Sequence, residues 1–253
     1  MSAQPHLAFV GASKRFADGT QALADITFDV PRGQVCALVG PSGSGKSTLL
    51  RAVNGLTELT SGAVLVDGAP VDAEHLPAVR RKVGMVYQHY GLVDRASVAE
   101  NMIAGAVADI ATWRALLGIY PAAYRVKACA LLAEVGLSPE HLTRRVSELS
   151  GGQRQRVGIA RALMLDPEIL VADEPVASLD PRVSVEVLDL MRREARARGA
   201  TILCSLHQVD LARRFADRIV ALRAGRLMFD GPAAAFDEAA TLAIYGSAAE
   251  EGR

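Results

Sequence analysis

Residues 35–48 read Val35-Cys36-Ala37-Leu38-Val39-Gly40-Pro41-Ser42-Gly43-Ser44-Gly45-Lys46-Ser47-Thr48. Five consecutive apolar residues are what a strand covered on both faces requires. The segment from Lys46 to Val53 then reads as a helix stopped near Gly55. Strand, glycine-rich loop and helix in this order match the pattern of a phosphate-binding loop. The glycines let the backbone curl so that successive N–H groups face phosphate oxygens, and the helix N-terminus adds a favourable dipole. Lys46 is placed to neutralise the outer phosphates and Ser47 to set its hydroxyl on Mg²⁺. Residues Gly40, Pro41, Ser42, Gly43, Ser44, Gly45, Lys46, Ser47 and Thr48 are therefore expected to bind a nucleoside triphosphate.

Further along, Glu168-Ile169-Leu170-Val171-Ala172-Asp173-Glu174-Pro175 is an apolar strand ending in two carboxylates. Ligands of open α/β folds bind at the carboxyl edge of the sheet. Asp173 is suited to holding Mg²⁺ and Glu174 to polarising the water that attacks the γ-phosphate. Without the phosphate loop, a pair of solvated acids would be the better reading.

Leu149-Ser150-Gly151-Gly152-Gln153 precedes a helical segment expected over Gly151–Leu165. Ser150 can cap that helix, and the two glycines expose backbone N–H groups at its start, which makes a second anion-binding terminus. Taken alone, the segment reads better as a capped helix without a ligand.

Short apolar strands recur at Ile169–Ala172, Ala200–Ser205 and Arg218–Leu222, each beside a plausible helix, which indicates an α/β parallel sheet. Apolar Ile26, Phe28 and Val30 alternate before Pro31-Arg32-Gly33, so a half-buried strand ends in a turn there, with Leu7–Val10 as its neighbour. Helices are expected over Ser97–Gly105 and Tyr124–Gly136, making residues of about 90–150 a candidate helical subdomain inserted in a single 1–253 domain. One or two short helices are expected after Gly231-Pro232.

Together these motifs resemble those of the ATP-binding-cassette (ABC) ATPases, and Leu149–Gln153 matches that family's signature motif. The resemblance covers roughly residues 5–235. It implies the P-loop NTPase fold of that family: a mostly parallel core sheet with an antiparallel β subdomain and a helical subdomain. It also assigns roles position by position. Gln88 in Val86-Tyr87-Gln88-His89 resembles the Q-loop, which reaches the Mg²⁺ and the reacting phosphate. Ser178-Leu179-Asp180 resembles the D-loop, His207 the switch histidine, and Phe16 the aromatic that stacks on adenine. Ser150, Gly151, Gly152, Gln153 and Asp180 then belong to a nucleotide site completed by a second copy, since in the family one subunit's signature closes over another's phosphate loop.

Within the family, Ser205-Leu206-His207-Gln208-Val209-Asp210-Leu211-Ala212, Asp173–Pro181 and Asn101–Pro121 resemble the phosphonate-importer ATPases, while Tyr90-Gly91 and Asp94 depart from that pattern. The resemblance implies an ATP-hydrolysing homodimer, peripheral on the cytoplasmic face of the inner membrane. Its partners would be an integral permease and, indirectly, a solute-binding protein. A phosphite or organophosphate importer, or a non-transport cassette ATPase, remains an alternative. No Asn-Lys-x-Asp guanine-reading motif supports a GTPase.

Composition agrees. The chain has 253 residues, 28 basic and 28 acidic, a net charge of +0 and 50% apolar content. That length suffices to bury roughly 70–75% of the unfolded surface without disulfide or metal. The charge balance gives no basic excess to advertise nucleic acid as a partner. No apolar run approaches the ~18 residues of a membrane span, and Met1–His6 lacks the start of a secretory signal. Cys36, Cys129 and Cys204 are expected as core thiols. His6, His75, His89 and His141, with no constellation around them, are expected at the surface.

Overall fold

In a computed structural model, described over residues 4–111, 113–114 and 117–246, Val35–Val39 forms strand β3 with every residue buried. Its alternation serves two cores. Val35, Ala37 and Val39 pack on one side of the sheet and Cys36 and Leu38 on the other, which is why the run is continuously apolar.

The main sheet has six strands in the order β10-β9-β3-β8-β7-β6. β6 is Val83–Val86, β7 Ile169–Asp173, β8 Thr201–Ser205, β9 Arg218–Arg223 and β10 Arg226–Pro232. Pairings from β9 through β6 are parallel, and only β10 runs antiparallel. A second, antiparallel sheet has the order β2-β1-β4-β5, with β1 Leu7–Arg15, β2 Gln21–Val30, β4 Ser61–Val66 and β5 Ala69–Pro70. Phe9 pairs with Phe28 across β1 and β2, and their rings stack with centroids 4.7 Å apart. The expected mostly parallel core sheet with an antiparallel β layer is what forms.

Helix α1, Lys46–Val53, follows the phosphate loop and packs its Leu49, Leu50 and Val53 under the antiparallel sheet. Helix α2 is Leu76–Lys82. Between β6 and β7 the described residues include helices α3 (Val98–Ile103), α4 (Ala122–Glu134) and α5 (Gly151–Ala162), with 3₁₀ segments at Ala104–Asp109, Pro139–Thr143 and Val146–Glu148 between them. Helix α6 is Pro181–Arg198, α7 Val209–Phe215 and α8 Glu238–Tyr245. Part of the Asn101–Pro121 segment, residues 112 and 115–116, lies outside the described residues. No described helix is long and apolar enough to cross a membrane.

Boundaries differ from the sequence expectation where turn chemistry intervenes. α5 stops at Ala162 rather than Leu165, because the turn tightens as the Met164 N–H donates to the Arg161 carbonyl three residues back, and the chain reverses through Asp166 at φ 50. α4 begins two residues earlier than expected, directly behind Pro121.

Two surface and core assignments need correction. Cys129 is exposed, whereas Cys36 and Cys204 are buried. The α4 stripe Ala128, Leu131 and Leu132 faces the core, leaving Cys129 on the outward side. His6 and His141 are buried, 1% and 8% exposed. His6 sits where the two sheets meet, with Nδ1 2.6 Å from Thr201 Oγ1. Beside it the Arg32 guanidinium bridges Asp67 Oδ1 at 2.6 Å and Glu168 Oε2 at 2.7 Å, and Lys82 Nζ donates to Asp67 Oδ2 at 2.6 Å. Burial pushes the His6 imidazole below its ordinary value, aided by Arg32 and Lys82 and opposed by Asp67 and Glu168.

Candidate functional site

The phosphate loop runs from the end of β3 into α1 through backbone that only glycine fits. Gly40 has φ 143, and a Cβ there would stand 2.0 Å from the Leu222 carbonyl oxygen; Gly45 has φ 104, and a Cβ there would stand 2.5 Å from that of Ala22. At the start of α1 no side chain caps the helix. Helices α3, α5, α6 and α8 are capped by Ser97, Ser150, Asp180 and Asp237. The first N–H groups of α1 are thus left for an external anion.

Lys46 is 4% exposed and its Nζ donates to the carbonyl oxygens of Gly40 at 2.7 Å and Pro41 at 3.0 Å. Burial draws its ammonium below the ordinary lysine range, while the nearby Glu174 and Asp173 carboxylates hold it up. The ammonium is therefore stored beside the loop, within the field of both acids.

Asp173 ends β7 and is 3% exposed. Its Oδ1 accepts from Ser47 Oγ at 2.8 Å and from Ser205 Oγ at 3.0 Å, and Ser205 Oγ in turn accepts the Glu174 N–H at 2.9 Å. Arg51 lies 3.9 Å from Asp173 Oδ2. Immediately after the strand, Glu174 adopts φ 47, a left-handed conformation that costs a non-glycine residue about 1–3 kcal/mol. The turn aims its carboxylate at His207, whose Nε2 lies 2.6 Å from Glu174 Oε1.

Glu174 and His207 line one cleft of about 500 Å³, together with Phe16, Thr20, Gln21, Ala22, Ser42–Thr48 and Gln88. Phe16 is 43% exposed at its rim, with Lys14 Nζ 5.3 Å from the ring centroid. The structure thus brings Phe16, Lys46, Ser47, Gln88, Glu174 and His207 together, with Asp173 reached through Ser47. Ser150–Gln153 and Asp180 do not line that cleft.

The signature segment forms the start of α5. Ser150 Oγ accepts the Gln153 N–H at 3.3 Å, and Gln153 Oε1 accepts the Ser150 N–H at 2.9 Å, a reciprocal capping box. A Cβ on Gly152 would meet Val183 at 2.9 Å and one on Gly151 would meet Tyr90 Oη at 3.2 Å, so both glycines serve close packing. Asp180 caps α6, its Oδ1 accepting the Val183 N–H at 3.0 Å.

The family model described as ABC transporter matches residues 23–177, which span the phosphate loop, the signature and the Asp173-Glu174 strand end. The chain belongs to this family. Among curated relatives of the cassette, the phosphonates import ATP-binding protein PhnC of Hyphomonas neptunium is 50% identical over 90% of this chain and 88% of its own. That of Hydrogenovibrio crunogenus is 45% identical over 94% and 88%. Among solved structures, cbiO1 from Clostridium perfringens, part of the cbiONQ transporter complex, superposes with a TM-score of 0.81 at 29% identity, covering 95% of this chain and 94% of that one. The dimeric cassette MJ0796 bound to ADP and Pi superposes with a TM-score of 0.78 at 28% identity, covering 90% and 98%.

Ser205, whose hydroxyl links Asp173 to the Glu174 N–H, was not among the residues expected at the site. Its signal was its place at the end of a buried strand two residues before His207. Thr20, Gln21 and Ala22 carry no motif of their own and reach the cleft only through the fold. Tyr245 of α8, whose hydroxyl accepts the Gly40 N–H at 3.0 Å, also had no sequence signal.

Proposed function

We propose that this chain is the ATP-hydrolysing subunit of an ABC importer for phosphonates. The observation that carries the reading is the meeting of the Lys46 loop, the Asp173-Glu174 strand end and His207 in one cleft, in a chain 50% identical to a phosphonates import ATP-binding protein.

Phe16 stacks on the adenine, and the loop N–H groups from Gly43 to Thr48 wrap the phosphates. Lys46 leaves the Gly40 and Pro41 carbonyls for the outer phosphates, an exchange of neutral acceptors for anionic ones that strengthens each hydrogen bond. The hydroxyl of Ser47, the Asp173 carboxylate and the Gln88 amide form a hard oxygen donor set that suits Mg²⁺. When bound, the ion neutralises charge on the outer phosphate oxygens. Glu174 takes the proton of the attacking water, and His207 orients Glu174 and contacts the γ-phosphate.

Ser150–Gln153 and Asp180 act on the nucleotide of a second copy. Extra donors to the γ-phosphate favour the closed homodimer with ATP over ADP, and hydrolysis releases it. The single domain carries its helical section, about residues 90–150, as the docking element for an integral permease. In this reading the chain sits peripherally on the cytoplasmic face of the inner membrane, with a solute-binding protein delivering substrate from the other side.

The test is co-purification from membranes with the permease, then ATP-driven uptake of a labelled alkylphosphonate in proteoliposomes. Uptake that depends on the solute-binding protein supports the reading. Uptake of phosphite or a phosphate ester alone would move the assignment to that related importer, and copurification with no membrane protein would overturn it.

A further inference from the structure

His141 lies outside the nucleotide cleft and outside every family motif, yet it is 8% exposed and touches the signature segment. It belongs to the 3₁₀ turn Pro139–Thr143, which precedes α5. Its Nε2 stands 3.2 Å from the side-chain nitrogen of Gln153, and its Nδ1 2.8 Å from Ser138 Oγ and 3.1 Å from the Ser138 carbonyl oxygen.

The hydrogen-bond roles in this chain of groups are forced. Gln153 Oε1 accepts the Ser150 N–H, so the other end of the amide is the NH₂ donor. That donor faces His141 Nε2, which must therefore carry a lone pair. The ring proton is then on Nδ1, directed at the Ser138 oxygens. Reversing the Gln153 amide would set its NH₂ against the Ser150 N–H and lose that bond, and with the ring proton on Nδ1 would set the amide oxygen against the Nε2 lone pair.

We propose that His141 is a positioning residue of the signature segment. It fixes the orientation of the Gln153 amide, which holds Ser150 in the reciprocal cap and so sets the first turn of α5. The proposal rests on the assignment of Ser150–Gln153 to a second chain's ATP. The competing role is local: His141 could serve only its own turn through Nδ1 and Ser138.

Two conservative variants separate these roles. In His141→Gln a side-chain oxygen reaches the place of Nε2 but nothing replaces Nδ1. In His141→Asn the amide replaces Nδ1 but nothing reaches Gln153. Both are made in a Glu174→Gln background, and ATP-dependent association of the full chain is followed by sedimentation, with nucleotide affinity of the single chain and thermal midpoint measured alongside.

Loss of one hydrogen bond corresponds to roughly a 3- to 10-fold weaker association for His141→Asn. His141→Gln is expected within about 2-fold of the parent, and single-chain ATP affinity is expected unchanged in both. Equal weakening of both variants, or weakening of His141→Gln alone, would overturn the proposal in favour of the local role. A Ser150→Arg control distinguishes the two levels. If it abolishes association while His141→Asn matches the parent, the role of His141 is wrong. If it too associates normally, the signature assignment itself is wrong.

Discussion

His207 Nε2 stands 2.6 Å from Glu174 Oε1, at the mouth of the phosphate-loop cleft. The two residues come from different strand ends, β7 and β8, brought level by the parallel register that pairs Asp173 with Ser205. Ser205 completes the link by accepting the Glu174 N–H while donating to Asp173. One serine side chain thus ties the residue suited to Mg²⁺ to the residue suited to activating water. The register of two buried strands decides the geometry of the candidate site.

Lys46→Ala removes the ammonium held by the Gly40 and Pro41 carbonyls. Loss of a charge-assisted contact to phosphate is expected to weaken ATP binding about 10- to 100-fold. Fluorescent nucleotide titration measures it, and an unchanged affinity would remove Lys46 from the site.

Phe16→Ala is expected to raise KM for ATP by about 3- to 10-fold, the range for losing one aromatic stacking contact, with kcat little changed. Because Phe16 is 43% exposed, the thermal midpoint should stay put. A shifted midpoint with constant KM would return the ring to a packing role.

Chelation with EDTA is expected to stop hydrolysis while leaving the fold intact. Asp173 is already satisfied by the Ser47 and Ser205 hydroxyls, so no buried charge is orphaned when the ion leaves. Activity assays and circular dichroism on the same sample check both halves. Full turnover in EDTA would contradict the donor set assigned here.

The parallel sheet and the candidate site at its edge were legible because buried strands announce themselves as apolar runs and the phosphate loop has a fixed spacing. Other parts carried weaker marks. The β4–β5 hairpin turns at Asp67-Gly68, a dipeptide suited to positive φ at both positions, but β5 is only two residues long. Strand β10 alternates between exposed and half-buried residues, so its Leu227 and Phe229 are only partly covered and no continuous apolar run marks it. Helix α6 did carry signals, an Asp180 cap, Pro181 at its start and Gly199 at its end. His6 escaped because its partner Thr201 is 195 residues away, and His141 because a hydrogen bond to Gln153 leaves no periodic trace.

His6 makes stability depend on pH. Its folded-state value is lowered by burial and by Arg32, so between that value and the ordinary 6.5 the unfolded chain binds more protons. Stability is therefore complete above about pH 6.5 and declines as pH falls toward the lowered folded value. Denaturant midpoints at pH 7.5 and 5.5 should differ more for the parent than for His6→Asn; equal differences would assign the acid sensitivity elsewhere.

The composite site is tested most directly by the size of the Glu174→Gln variant with nucleotide. Removing the base is expected to slow hydrolysis about 10²- to 10⁴-fold while leaving Lys46, Ser47 and the signature in place. Sedimentation with Mg-ATP should then give a species of two chains, and with Mg-ADP a species of one. A single chain under both conditions would contradict a nucleotide site shared between the phosphate loop of one copy and Ser150–Gln153 of another.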